Sequence, residues 1–180
     1  MKTLLISTCN HALNDREFVF PISEILGENE HDIMYFENCN TEILSSYSKI
    51  IICGTSMQDF TYVGWLPFFD KLLKKFTGPI LGICSGMQIL TSIFGISGLI
   101  DNVEIGFVEV KTLTPNKLFN GTFKAYNLHN YSVQDCDKFK ILAKSENSIQ
   151  AVKHISREIY GISFHPEVRN EQIITNFLLI

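Results

Sequence analysis

PILGICSGMQIL, residues 79–90, decides the fold. It opens with an apolar run of strand character and passes through Gly82-Ile83-Cys84-Ser85-Gly86 into residues with helical spacing, 85 to about 94. A strand that breaks into a helix around Gly-x-Cys-x-Gly has the form of a nucleophile elbow, in which the reactive side chain stands on a strained turn at the carboxyl end of a strand. Glycines two residues either side of Cys84 relieve crowding at such a turn. The first N–H of the following helix, that of Ser85, faces whatever the sulfur attacks, and the helix N-terminus sets a partial positive charge beside it.

Upstream, short β-rich runs alternate with helical stretches. TLLIS (3–7), HDIMYF (31–36) and KIIIC (49–53) read as strands, the last continuously apolar and β-branched, as strands buried on both faces tend to be. Phe18, Phe20, Ile22, Ile25 and Leu26 give residues 16–26 a helical face that Pro21 interrupts. In residues 65–76, Phe69, Leu72, Leu73 and Phe76 fall on one side and Lys71, Lys74 and Lys75 mostly on the other. This alternation implies parallel strands with helices on both faces.

Downstream the pattern changes. Residues 103–113, 122–128, 138–144, 149–154 and 159–164 read as strands joined by short polar turns, and residues 171–179 as a closing helix. Neither a repeat nor a linker divides the chain. The expectation is one α/β domain over residues 1–180: a mainly parallel, open, flavodoxin-like sheet flanked by helices, with a β-rich insertion in the second half.

YGISFHPEV, residues 160–168, holds the second chemical signal. Residues two apart in extended backbone point the same way, so Glu167 can accept the ring N–H of His165. A cysteine nucleophile needs an imidazole to exchange its proton, and the imidazole needs a partner to fix its tautomer. Cys84, His165 and Glu167 are therefore the candidate catalytic set. His129, within Asn127-Leu128-His129-Asn130-Tyr131 between strand runs, is the other histidine of interest, and it and Asn130 are candidate substrate contacts.

Composition excludes other chemistries. The net charge is -4, with no Lys/Arg block, which argues against nucleic acid and anionic membranes as partners. The five cysteines, Cys9, Cys39, Cys53, Cys84 and Cys136, show no C-x-x-C spacing, so neither a disulfide framework nor a metal site is expected, and no cofactor is implied. The N-terminal apolar run is too short for a signal peptide or membrane helix, and a cytoplasmic location is expected.

With GICSGMQ at 82–88 and GISFHPEV at 161–168, the sequence resembles the class I, triad-type glutamine amidotransferases. The resemblance covers most of the chain and is weakest over the first 45 residues. It implies that Cys84 attacks the carboxamide carbon of L-glutamine and that Gln88 contacts the substrate. It further implies that the segment from Glu104 through Ile105 and Gly106 to Phe107 binds the amino-acid end, and that Ser85, Gly54 and Thr55 hold the oxyanion through their backbone. Ammonia would pass to a separate synthase subunit. The alternative is a stand-alone hydrolase of γ-glutamyl amides with the same triad. The sequence departs from the family at the oxyanion loop, where Thr55 and Ser56 replace a usual Gly-Pro, and at Met87, often histidine. Guanylate-synthase members usually carry an aspartate two residues after the histidine matched by His129; here that residue is Tyr131. Gly-Met-Gln at 86–88 also occurs in the subgroup making imidazole glycerol phosphate, and YNLHNY at 126–131 is a little closer to it, but the N-terminal stretch does not match, so the motifs select no subgroup.

Overall fold

The computed structural model describes residues 2–95 and 98–180. In its first half it contains β1 (Thr3–Ser7), α1 (Asp15–Phe18), α2 (Phe20–Leu26), β2 (His31–Tyr35), α3 (Thr41–Leu44) and β3 (Lys49–Ile52), then α4 (Thr61–Gly64), α5 (Leu66–Leu73), β4 (Ile80–Ile83) and α6 (Ser85–Leu90). α6 runs into a π-helical turn, Thr91–Gly95. The second half is β5 (Leu99–Thr112), β6 (Thr122–Val133), β7 (Phe139–Lys144), β8 (Ile149–His154), β9 (Ile159–Ile162) and α7 (Gln172–Leu178).

All nine strands form one sheet in the order β2-β1-β3-β4-β9-β8-β7-β5-β6. β2, β1, β3, β4 and β9 pair parallel, and β9, β8, β7, β5 and β6 pair antiparallel. The fold is α/β as expected, with one correction: the sheet is mixed rather than mainly parallel, and the β-rich stretch of the second half extends that same sheet. The reason is connectivity. Parallel neighbours need long crossovers through helices, whereas the short turns of the second half allow only antiparallel return.

β1, β3, β4 and β9 are buried along their whole length, as their apolar centres require. Side chains from α1, α2 and α7 pack on one face of the sheet, and those from α5 and α6 on the other. Pro21 and Val19 split the first helical stretch in two, with Pro21 in the first turn of α2, where a missing N–H costs nothing. The short helices α3 and α4 carry no apolar periodicity long enough to read from sequence. β6 continues five residues past the expected end at Leu128, so His129 and Asn130 lie within a strand.

Candidate active site

Cys84 connects β4 to α6 with φ 51° and ψ −106°, a backbone state that only glycine adopts without strain. Its N–H donates to the Ile162 carbonyl at the end of β9, 2.8 Å away. The flanking glycines are steric necessities. A Cβ on Gly82 would come within 2.4 Å of the Gly86 backbone, and one on Gly86 within 2.4 Å of the Ile52 carbonyl oxygen. Gly54, just after β3, is equally constrained, because a Cβ there would lie 2.8 Å from His165 Cε1 and 3.4 Å from Cys84 Cβ. These contacts bring the loops after β3, β4 and β9 to one point.

His165 follows β9, and its backbone N–H donates to the Tyr126 carbonyl of β6 at 2.8 Å. Its Nδ1 lies 2.7 Å from Glu167 Oε1, and both side chains are 1% exposed. The residues between them form a turn closed by the Val168 N–H on the His165 carbonyl, so this pairing is made in a turn rather than in extended backbone. Burial by itself would lower the His165 pKa, but the Glu167 carboxylate and the Cys84 sulfur outweigh it and raise the imidazole well above its ordinary value. Its Nε2 is buried and makes no aligned hydrogen bond among the described residues.

Burial pushes the Cys9 and Cys39 thiols up to about 12 and raises the Cys53 thiol well above its ordinary value, which suppresses their nucleophilicity.

A narrow cleft over Cys84 is lined by Thr55, Ser85, Gln88, Leu128, His129, Asn130 and Tyr131, among others, and leaves about 20 Å³ of free volume, roughly room for one water. Gln88 is held from both ends, accepting from the Tyr62 hydroxyl and donating to the Tyr131 carbonyl at 3.0 Å. Asn130 Nδ2 donates to the Met57 carbonyl at 2.9 Å, and Phe60 packs edge-on against Tyr131. A wider cleft of about 570 Å³ adjoins this one and shares Ser56, Met57, Asp59 and Leu128 with it.

The expected contacts divide. Gln88, Ser85, Thr55, His129 and Asn130 reach the cleft. Gly106 and Phe107 do not line it. Gly106 pairs with Asn127 across the β5–β6 ladder, and the Phe107 ring, largely exposed, rests between Tyr126 and Arg169. The His129 ring turns into the antiparallel half, 3.2 Å from the buried Glu104 carboxylate. Glu104 also accepts from Asn127, Ser145, Ser148 and Gln150. Burial opposes its charge, but His129, Ser148 and Ser145 outweigh this and hold its pKa below the ordinary value.

Sequence reasoning missed Asp59, Thr8 and Tyr62. Asp59 Oδ2 accepts from Thr55 Oγ1 (2.7 Å), the Asn10 N–H (3.1 Å) and Asn14 Nδ2 (3.1 Å). Burial opposes its charge too, yet these donors hold its pKa below the ordinary value. The Thr8 and Ser85 hydroxyls lie 3.1 Å apart and both donate to the Cys53 carbonyl. Only Thr8 carried a signal, its position at the carboxyl end of a buried strand; Asp59 and Tyr62 had none.

Among the described residues, no group of three or more His, Cys, Asp or Glu side chains is arranged to hold a metal ion, and no helix is long and apolar enough to cross a membrane.

The family profile described as Glutamine amidotransferase class-I matches residues 15–179. One chain of the glutamine-hydrolyzing GMP synthase of Pyrococcus abyssi is 37% identical over 121 residues, covering 60% of this chain and 64% of that protein. The GMP synthase of Borreliella burgdorferi strain B31 is 38% identical over 144 residues, covering 73% of this chain and 27% of that protein. The chain thus spans under two thirds of the length of these curated relatives. Among solved structures, a putative GMP synthase subunit from Thermoplasma acidophilum superposes with a TM-score of 0.87 at 21% identity, covering 99% of this chain and 92% of that one. A glutamine amidotransferase from Thermotoga maritima gives 0.71 at 21% identity, covering 93% and 76%. At these identities the likeness concerns the fold.

Proposed function

This chain belongs to the class-I glutamine amidotransferase family, and from that premise we propose that it hydrolyses L-glutamine through Cys84, His165 and Glu167 and delivers the ammonia to a separate synthase subunit. The observation that carries the reading is a strained cysteine at the strand–helix turn beside a buried imidazole, with a carboxylate on the Nδ1 side of that ring fixing its orientation.

The Cys84 thiolate adds to the carboxamide carbon, and the carbonyl electron pair moves onto oxygen. The Ser85 N–H, first in α6 and so without an intrahelical acceptor, faces that oxyanion. The Gly54 carbonyl accepts from the Cys9 thiol at 3.8 Å, on the β1 side of β3. Across a trans peptide this turns the Thr55 N–H the other way, toward the β4 side that carries Cys84. A donor rather than a carbonyl therefore serves the developing charge. The tetrahedral adduct collapses as the His165 imidazolium gives its proton to the departing nitrogen, releasing ammonia and leaving a γ-glutamyl thioester. Neutral His165 then takes a proton from water, the hydroxide adds to the thioester, and glutamate leaves as Cys84 is regenerated.

The cleft is too tight for glutamine as it stands, so the Met57 and Leu128 side chains, which line both clefts, must yield, and the wider neighbouring cleft is the side from which substrate enters. We assign the ammonia acceptor to a GMP-forming synthetase subunit, because the curated relatives carry the GMP synthase name. The test is glutamate release by the purified chain, without and with that synthetase. The expectation is slow turnover alone and a partner effect mainly on kcat, as loop populations shift. Glutamate release that persists in Cys84→Ala refutes the mechanism. Rapid turnover of the lone chain on γ-glutamyl amines favours the stand-alone hydrolase instead.

A further inference from the structure

The loop that would supply the Thr55 N–H has an unusual problem. Its first residue must be glycine, because any side chain at 54 would collide with the His165 ring and crowd Cys84. Glycine leaves the adjoining peptide free to rotate, and no proline follows to restrict it. A rotated peptide would aim a carbonyl, not an N–H, at the substrate. The Cys9 thiol on the Gly54 carbonyl, a weak donor at 3.8 Å, is one hold, and a stronger one is needed.

We propose that Asp59 is the positioning residue that does so, holding the Gly54–Thr55 peptide in its donating orientation through the Thr55 hydroxyl. This rests on the glutaminase reading above and adds to it the residue that shapes the oxyanion site.

Three features support the assignment. Asp59 is 5% exposed, and its Oδ2 gathers donors from two separate loops: Thr55 Oγ1 at 2.7 Å from the loop after β3, and the Asn10 N–H and Asn14 Nδ2 at 3.1 Å from the loop after β1. A buried carboxylate is costly unless its lone pairs are satisfied, so this convergence makes one arrangement of the two loops strongly preferred. The Asp59 N–H donates to the Ser56 carbonyl at 3.0 Å, a tight turn that folds the carboxylate back onto Thr55. Finally, the loop after β1 is held by contacts that do not involve Asp59, the Ser7 hydroxyl donating to Asp15 Oδ1 at 2.5 Å and the Thr8 hydroxyl to the Cys53 carbonyl at 3.3 Å, so Asp59 ties Thr55 to a segment fixed by other bonds.

The test is steady-state glutaminase kinetics of the full chain as wild type, Thr55→Val, Thr55→Ser, Asp59→Asn and the Thr55→Val/Asp59→Asn double variant. Binding of the γ-aldehyde analogue of glutamine, which forms a tetrahedral adduct on Cys84, is measured alongside. Thr55→Val and Asp59→Asn are expected to lower kcat about ten- to a hundredfold, short of the roughly hundred- to thousandfold loss from deleting an oxyanion donor. KM should stay within about twofold, and aldehyde affinity should fall in step with kcat. Thr55→Ser, which keeps the hydroxyl, should recover most of the kcat that Thr55→Val loses. The double variant should be no worse than the poorer single, because both cut the same link.

A rise in KM at constant kcat would make Asp59 a substrate contact and overturn the proposal. So would unchanged kinetics, additive losses, or a Thr55→Ser as impaired as Thr55→Val. Should Asp59→Asn fail to fold, the near-isosteric Thr55→Val against Thr55→Ser decides alone. A wild-type chain that releases no glutamate overturns both the glutaminase reading and this one; active wild type with unaffected variants overturns only this one.

Discussion

The two halves of the sheet solve different problems. In the parallel half, β1, β3, β4 and β9 are buried throughout and largely apolar, and polar groups collect at their carboxyl ends, where Thr8, Gly54, Cys84 and His165 meet. In the antiparallel half, β5 is mostly exposed or half-buried, with Glu104 and Val110 buried, and polar groups lie inside, around the Glu104 carboxylate. Parallel strands that run together end together, which gathers reactive groups at one edge. The antiparallel strands contribute backbone instead: the Leu128 carbonyl accepts from Cys84 Sγ at 3.7 Å, the Tyr131 carbonyl holds Gln88, and the Tyr126 carbonyl holds the His165 N–H. On the proposed mechanism, one half supplies the reacting side chains and the other the backbone carbonyls that hold them.

If this division is right, substitutions in the parallel half should act on chemistry and those in the antiparallel half on stability. The largest effect belongs to His165→Ala, expected to reduce glutamate release by roughly a thousandfold or more, while Glu167→Gln leaves a measurable remnant because the orienter sets only tautomer and direction. Circular dichroism should report both variants folded. Near wild-type turnover in His165→Ala would break the comparison at its strongest point.

Next comes Glu104→Leu. It leaves the buried donors of Asn127, Ser145, Ser148, Gln150 and His129 around an apolar side chain, at a cost of about 3 kcal/mol in denaturant unfolding. Cys84 in the remaining folded protein should still be alkylated by a glutamine-like chloroketone ahead of Cys9, Cys39 and Cys53, whose thiols burial keeps protonated. Loss of that selectivity without loss of stability would assign Glu104 to the chemistry instead.

The halves should also titrate in opposite senses. The folded pKa of Glu104 is depressed, so its contribution to stability is present above about 4.5 and lost as pH falls through the folded value. The folded pKa of His165 is raised, so its contribution is full below about 6.5 and lost as pH rises through the folded value. Unfolding free energies should show the gap between wild type and Glu104→Gln closing toward acid. The gap between wild type and His165→Gln should close toward alkali.

The smallest effect is expected at Phe107. The side chain is 58% exposed and outside the cleft, so Phe107→Ser should change stability by within about 0.5 kcal/mol and leave the glutamine KM unaltered. A marked rise in KM would show that β5 approaches the substrate when the cleft opens, as the family resemblance implies.

Local pattern carried much of this protein's design in its sequence. Gly82-Ile83-Cys84-Ser85-Gly86 after an apolar run has few physical readings besides a strand-to-helix elbow, and KIIIC few besides a buried strand. His165-Pro166-Glu167 placed an imidazole beside a carboxylate, although the turn that joins them was not legible. Other features depend on residues far apart in the chain. Asp59 gathers donors from Asn10 and Asn14, and Glu104 from Ser145, Ser148 and Gln150; no spacing rule links such positions. The continuation of the sheet from β9 through β8, β7 and β5 to β6 likewise pairs strand edges that no local pattern names. Periodicity and turn chemistry are written residue by residue and survive in the sequence. The satisfaction of a buried charge, or of an open strand edge, is fixed only when the folded chain brings its donors and acceptors together.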